Sequence, residues 1–197
     1  MKLLLYCDKA KPKLMISCRG EYKLEQDFKI ITDKAISFNG KIVGECDFEV
    51  EEIRYVEYAD EWGYETNTLN EDDLIDKSCL SGKQLFDYLK HCKNGAYAIH
   101  VKNLHIFDKP SELSNYYNNK KLMIEILKIW ENYGLPDKDD YDECSFKKAP
   151  QNMCRAFDEK NDYILISLKS EELCRILNGK QTIIVRKKVL KEMIQNE

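Results

Sequence analysis

The chain has 197 residues, is 43% hydrophobic and 34% charged, and carries a net charge of −4. That length suits one domain with insertions or two small ones and is enough to bury a core, while the acidic balance argues against a protein that simply coats nucleic acid. Eight cysteines without a CxxC pair or metal-ligand spacing, and an apolar run of only a few residues before Asp8, argue against a disulfide framework, a secretion signal or a membrane span. They favour reduced thiols in the cytoplasm.

The elements follow in chain order. Lys2 to Tyr6 reads as a core strand. Beyond Pro12 the segment to Asn39 holds only short apolar pieces, Leu14-Met15-Ile16 and Phe28-Lys29-Ile30-Ile31, and reads as a hairpin or loop excursion. Asn39-Gly40 signals a turn. From Ile42 the alternation is clean: Ile42, Gly44, Cys46, Phe48 and Val50 share one face, and Glu45, Asp47, Glu49 and Glu51 the other. With no histidine partner, four adjacent carboxylates read as an exposed sheet face that a polyanion avoids. Tyr58 to Asp76 reads as a polar loop plus a short helix.

Ser81 can cap a helix running to about His91, with Leu85, Phe86 and Leu89 inward. After Gly95, Tyr97 to Phe107 is the next strand, with Tyr97, Ile99 and Val101 alternating against Ala98, His100 and Lys102. His91, His100 and His105 do not fall at metal-ligand spacing, so no metal or histidine-based catalysis is expected. Ser111, after Pro110, can start a short helix to Tyr117. Lys121 to Tyr133 is a better helix, with Leu122, Ile126, Ile129 and Tyr133 on one stripe and Met123, Leu127 and Trp130 beside it. It either adds core or presents Trp130 and Met123 to a protein partner. Gly134, Pro136 and the cluster Asp137-Lys138-Asp139-Asp140 end it. Met153 to Phe157 is a strand, followed by a polar turn at Asp158 to Asp162.

The last fifth is the most patterned part. Ile164, Ile166 and Leu168 alternate with Leu165, Ser167 and Lys169, which predicts a strand. Ser170 can cap a helix whose first turn holds Glu171 and Glu172, Leu173, Ile176 and Leu177 give it one buried stripe, and Gly179 sits where a left-handed cap ends it. Thr182 to Lys187 then returns to a period of two, with Ile183 and Val185 on one face and Thr182, Ile184 and Arg186 on the other. From Tyr163 onward the net charge is +3, which leaves −7 for the remainder, compatible with one basic cleft on an acidic body.

The strand Ile164-Leu165-Ile166-Ser167-Leu168-Lys169, the helix ending Leu177-Asn178-Gly179, and the run Gly179-Lys180-Gln181-Thr182-Ile183-Ile184-Val185-Arg186 resemble the opening of an ASCH domain, a member of the PUA-like superfamily of small β-barrels. Gly179, Thr182 and Arg186 match the family motif; Gln181 and Ile184 stand at its lysine and glutamate positions, with Lys180 one place early. Lys2-Leu3-Leu4-Leu5-Tyr6, Lys9-Ala10-Lys11-Pro12, Lys41-Ile42-Val43-Gly44-Glu45, Tyr97-Ala98-Ile99, Phe107-Asp108-Lys109-Pro110 and Ala149-Pro150-Gln151 resemble the segments that ordinarily follow the motif. The resemblance therefore implies an α+β fold: a circularly permuted, small PUA-like (ASCH) mixed β-barrel with flanking helices. The single domain spans 1–197, with insertions at about 13–39 and 118–145 and the old ends joined at about 158–162.

The resemblance implies a cleft for RNA or a modified nucleotide, lined here by Ser167, Lys169, Lys180, Thr182 and Arg186, with Tyr6, Lys9 and Lys11 from the N-terminal turn and Gln151 from the closing strand. Lys and Arg would supply phosphate contacts and Tyr6 a stacking face. Some members cleave the acyl group from N4-acetylcytidine with a motif Lys, a Thr and a distal Glu, and a ribonuclease activity is also attributed to the family. Here the lysine position is Gln181 and the nucleophile position Ile184, so no catalytic residue is assigned; Lys180 and Thr182 substitute only if the turn is re-registered. No cofactor, metal or membrane is implied, and the oligomeric state stays open. A third class also stays open, a protein-interaction module acting on host machinery if the gene is carried by a phage, whose mark would be an exposed apolar face on 121–133.

Overall fold

Leu3 to Cys7 is a continuous apolar run, the pattern of a strand covered on both faces, and all five residues of that run are buried in β1 (Lys2–Cys7). The computed structural model describes residues 1–8, 40–58, 61–90, 92, 95–133 and 144–194, without the side chains at 57, 58, 61, 62, 130 and 133. The expected excursion at 13–39, His91 and the helix-ending residues 134–140 lie outside them.

The fold is mixed α+β. After β1 come β2 (Lys41–Tyr58), β3 (Glu61–Glu65), α1 (Glu71–Ser78), α2 (Gly82–Leu89), β4 (Ala96–Glu112), a single 3-10 turn, α3 (Lys120–Tyr133), β5 (Met153–Phe157), β6 (Asp162–Leu168), α4 (Ser170–Leu177), β7 (Ile183–Arg186) and α5 (Lys191–Ile194). The strands pair in the order β5-β6-β1-β2-β4-β7, and β3 pairs with β2. No helix among the described residues is long and apolar enough to cross a membrane. The chain divides into two compact units, Met1–Cys46 with His105–Leu173 and Asp47–Leu104 with Cys174–Glu197.

In the first unit β1 lies parallel to β6, from Lys2 opposite Tyr163 to Cys7 opposite Leu168, and antiparallel to β2. Leu4, Ile42, Tyr116, Phe146, Ala156, Tyr163 and Leu165 form its core, each fully buried Leu or Ile contributing about 1.5–3 kcal/mol. β5 and β6 form an antiparallel hairpin. Its turn is held by the Asp158 carboxylate, which accepts from the Lys160 amide at 2.8 Å, the Asn161 amide at 2.6 Å and the Tyr163 hydroxyl at 2.9 Å. Burial pushes the Asp158 carboxyl up, but these donors outweigh it and hold it below its ordinary range.

In the second unit Ile53, Tyr64, Leu69, Leu74, Leu85, Leu89, Ala96, Ala98, Ile183 and Val185 form the core. α2 begins as expected at Ser81, whose hydroxyl accepts from the Gln84 amide while the Gln84 side chain accepts from the Ser81 amide.

Several expectations need correcting. Residues 61–65 are strand, not loop, because β2 runs on to Tyr58 and supplies a ladder for Glu61–Glu65. The expected helix from Ser111 is absent: β4 continues through Pro110 to Glu112, and only Leu113–Asn115 turns. Pro lacks an N–H but is tolerated on a strand side that donates to no neighbour. α4 starts at Ser170 itself, with the Leu173 amide bonded to the Lys169 carbonyl, so Ser170 is a buried first-turn residue and not the cap. On α3 the buried positions are Met123 and Ile126, packed with Cys144, whereas Ile129 is 56% exposed, so the stripe is turned toward Met123. Ile184 is buried along with Ile183 and Val185, so both faces of β7 are covered.

Gly44 shows why the strand 41–45 needs a glycine: a Cβ there would lie 2.4 Å from the His105 carbonyl oxygen, a backbone atom that has little freedom to yield. Replacing Gly44 with Ala is expected to destabilise the protein by about 1–3 kcal/mol, read as a lower urea midpoint at unchanged m-value.

Candidate functional site

The turn after α4 is built almost wholly from main-chain bonds. Gly179 takes φ +74, with open space where a Cβ would stand; its amide bonds the Ile176 carbonyl, and the Lys180 and Gln181 amides both reach the Arg175 carbonyl at 3.0 Å. The C-terminal end of α1 closes the other side. The Lys77 carbonyl accepts from the Thr182 amide at 3.0 Å, the Cys79 thiol donates to the Lys180 carbonyl at 3.3 Å, and the Thr182 carbonyl accepts from the Val101 amide at 2.8 Å.

Gln181 is the pin. It is 3% exposed, its Oε1 accepts from Arg175 Nε at 3.0 Å, and its Nε2 donates to the Ile183 carbonyl at 2.8 Å. Both halves of the amide are therefore consumed inside the unit, while Lys180 and Thr182 on either side are exposed. Arg186, half-buried, stands at the other end of β7, its Nη1 donating to the Val185 carbonyl at 2.9 Å.

The remaining residues of the expected cleft belong to the first unit. Ser167 and Gln151 are brought together, since the Ser167 amide bonds the Asn152 carbonyl at 2.9 Å and its hydroxyl donates to the Pro150 carbonyl at 2.6 Å. That bond occupies the hydroxyl proton. Gln151 and Lys169 are exposed. Tyr6 is not open for stacking: it is 8% exposed in the core beside Ile42 and Tyr116, because β1 is covered on both faces. Burial, with Asp8 and Cys7 adding, raises its hydroxyl pKa. Lys9 and Lys11 lie outside the described residues.

A second arrangement escaped the sequence reading. The carboxylate row of β2 is not partnerless, because the neighbouring segments supply a counterpart to each member. In the second unit Lys102 Nζ pairs with Glu49 at 2.5 Å, Asn103 Nδ2 donates to Asp47 at 2.8 Å, and His100 Nε2 lies 3.0 Å from Glu51 Oε1. In the first unit Glu45 pairs with Lys2. His100 Nε2 is out of solvent and makes no hydrogen bond to Glu51, so the contact is one of proximity. The Glu51 carboxylate is instead held by the Thr68 hydroxyl, the Thr68 amide at 3.1 Å and the Thr66 hydroxyl. The alternation of both strands was legible, but not which strand would lie beside which.

Among the described residues no group of three or more His, Cys, Asp and Glu could hold a metal ion. None of the seven described cysteines is in a disulfide. Cys7 and Cys154 are poor nucleophile candidates, since burial pushes each thiol up to about 11.

Comparison with protein-family models, curated proteins and solved structures finds no match to this chain.

Two outcomes follow from these environments. Burial raises the Glu51 carboxyl, but the Thr66 and Thr68 hydroxyls, the Thr68 amide and His100 outweigh it and depress its folded-state pKa. Its contribution is thus present above the ordinary Glu range, near about 4.3, and is lost as pH falls through the lower folded value. Melting temperature measured from pH 6 to pH 3 is expected to fall less steeply for Glu51→Gln than for the wild type. At pH 8, iodoacetamide is expected to label the half-exposed Cys79 and Cys92 well before the buried Cys7, as read by peptide mass mapping.

Proposed function

We propose that this chain is a permuted PUA-like domain of the ASCH type that binds RNA or a modified nucleotide through the basic turn between α4 and β7. One observation carries the reading: Lys180 and Thr182 face solvent on a turn whose backbone is pinned at every residue, with the intervening Gln181 folded inward. A rigid backbone presenting an ammonium and a hydroxyl is suited to a phosphate, because little side-chain or loop ordering remains to oppose binding. The tight β5–β6 turn at Asp158 is compatible with a former pair of chain ends joined there.

The same turn argues against the acyl-cytidine hydrolase chemistry. Gln181 is spent on Arg175 and Ile183, and Ile184 is fully buried, so neither motif position can present a nucleophile or a base to a ligand. A second reading, a protein-interaction module, is favoured by one feature of α3: Ile124 and Ile129 are 38% and 56% exposed.

Binding of labelled single-stranded and structured RNA at 50 and 200 mM salt tests the proposal. The wild type is expected to bind more weakly at the higher salt, and Lys180→Ala with Arg186→Ala is expected to bind at least about tenfold more weakly while its far-ultraviolet circular dichroism stays native. Salt-independent binding, or a folded double variant that binds as the wild type does, would falsify it.

A further inference from the structure

We propose that Tyr88 and Lys187 form a base-stacking platform for single-stranded RNA, so that the partner is a strand and not an isolated nucleotide; this rests on the RNA-binding reading of the α4–β7 turn. α2 buries Leu85 and Leu89 and leaves Tyr88 37% exposed. Lys187, exposed just past the end of β7, holds its Nζ 4.8 Å from the centre of the Tyr88 ring. A base sliding onto this ring exchanges a cation–π contact for stacking and leaves the ammonium free to meet the adjoining phosphate.

The charge around it fits a polyanion. From Asn178 to Lys191 the chain has five basic side chains and no acidic one, and Lys180, Lys187, Lys188 and Lys191 are all exposed. Asp87, next to Tyr88, is already paired with Lys90 at 2.8 Å. Repulsion of a backbone phosphate at that point is thereby reduced.

Spacing decides between a strand and a mononucleotide. Thr182 and Lys187 flank β7, whose rise places them about 16 Å apart. A mononucleotide is too short to engage the 179–182 turn and the Tyr88 ring together, whereas a strand with several phosphates spans both. Every base has a π face, so such a platform tolerates sequence and gains affinity with length.

Fluorescence anisotropy with a labelled eight-residue oligouridylate, competed by uridine monophosphate, tests this on the full chain. The variants are Tyr88→Ala, Tyr88→Gln, Tyr88→Phe, Lys187→Ala and Lys180→Ala, each checked by thermal melting. The octamer is expected to bind about tenfold more weakly to Tyr88→Ala and Tyr88→Gln and within about twofold of wild type to Tyr88→Phe. Lys187→Ala is expected to lower the salt slope by about one, and the monophosphate to compete only at a concentration on the order of a hundredfold higher. If Tyr88→Gln binds the octamer like wild type while Lys180→Ala is weakened, the platform is overturned and the turn site stands. Equal competition by the monophosphate overturns it too. No octamer binding to wild type at low salt overturns both.

Discussion

Burial of five consecutive residues, Leu3 to Cys7, is the constraint on which the first unit depends. A strand with no exposed face needs neighbours on both edges and layers above and below. β6 supplies one edge and β2 the other, which ties the first strand of the chain to one that starts more than 150 residues later. The same burial sets the chemistry of the side chains it covers: Tyr6 becomes core, and the Cys7 thiol is pushed up to about 11.

The second unit turns on Gln181 in a comparable way. An amide side chain has one acceptor and two donors, and burying it without partners would cost about 1–3 kcal/mol. Arg175 and the Ile183 carbonyl meet that need, and in doing so hold the Gly179 turn in one conformation. Lys180 and Thr182, on either side of this inward residue, are exposed. The hydrogen bonds that turn Gln181 inward are therefore also what fixes the backbone between Lys180 and Thr182.

Charge on β2 is handled locally. Along the acidic row of β2, Lys2 and Lys102 set a positive charge against Glu45 and Glu49, while Asn103 donates to Asp47 and His100 lies beside Glu51, which lessens the repulsion between the carboxylates. The basic run from Lys180 to Lys191 has no such matched row of acids within its own segment. The charge of the chain is thus unevenly placed, with carboxylates of β2 set beside their counterparts and basic side chains collecting after α4.

The sequence by itself determined the elements whose signals are local. The strands at 2–6, 42–51, 153–157 and 164–168 follow from apolar period or continuity, α2 from the Ser81–Gln84 capping box, and the end of α4 from Gly179, because each depends on residues a few positions apart. It marked the turn that follows Gly179 but gave Thr182 to the strand beyond, whereas β7 starts only at Ile183 and Thr182 is exposed ahead of it. Only the tertiary structure decided the rest. β3 forms because the long β2 offers it a ladder, α3 turns Met123 inward because Cys144 is packed there, and Tyr6 is enclosed because β6 and β2 both claim β1. His100 meets Glu51, and Lys187 meets Tyr88, across 49 and 99 positions of chain. Such encounters are set by which strands and helices become neighbours, and side-chain periodicity shows which face a residue takes but not what will lie against it.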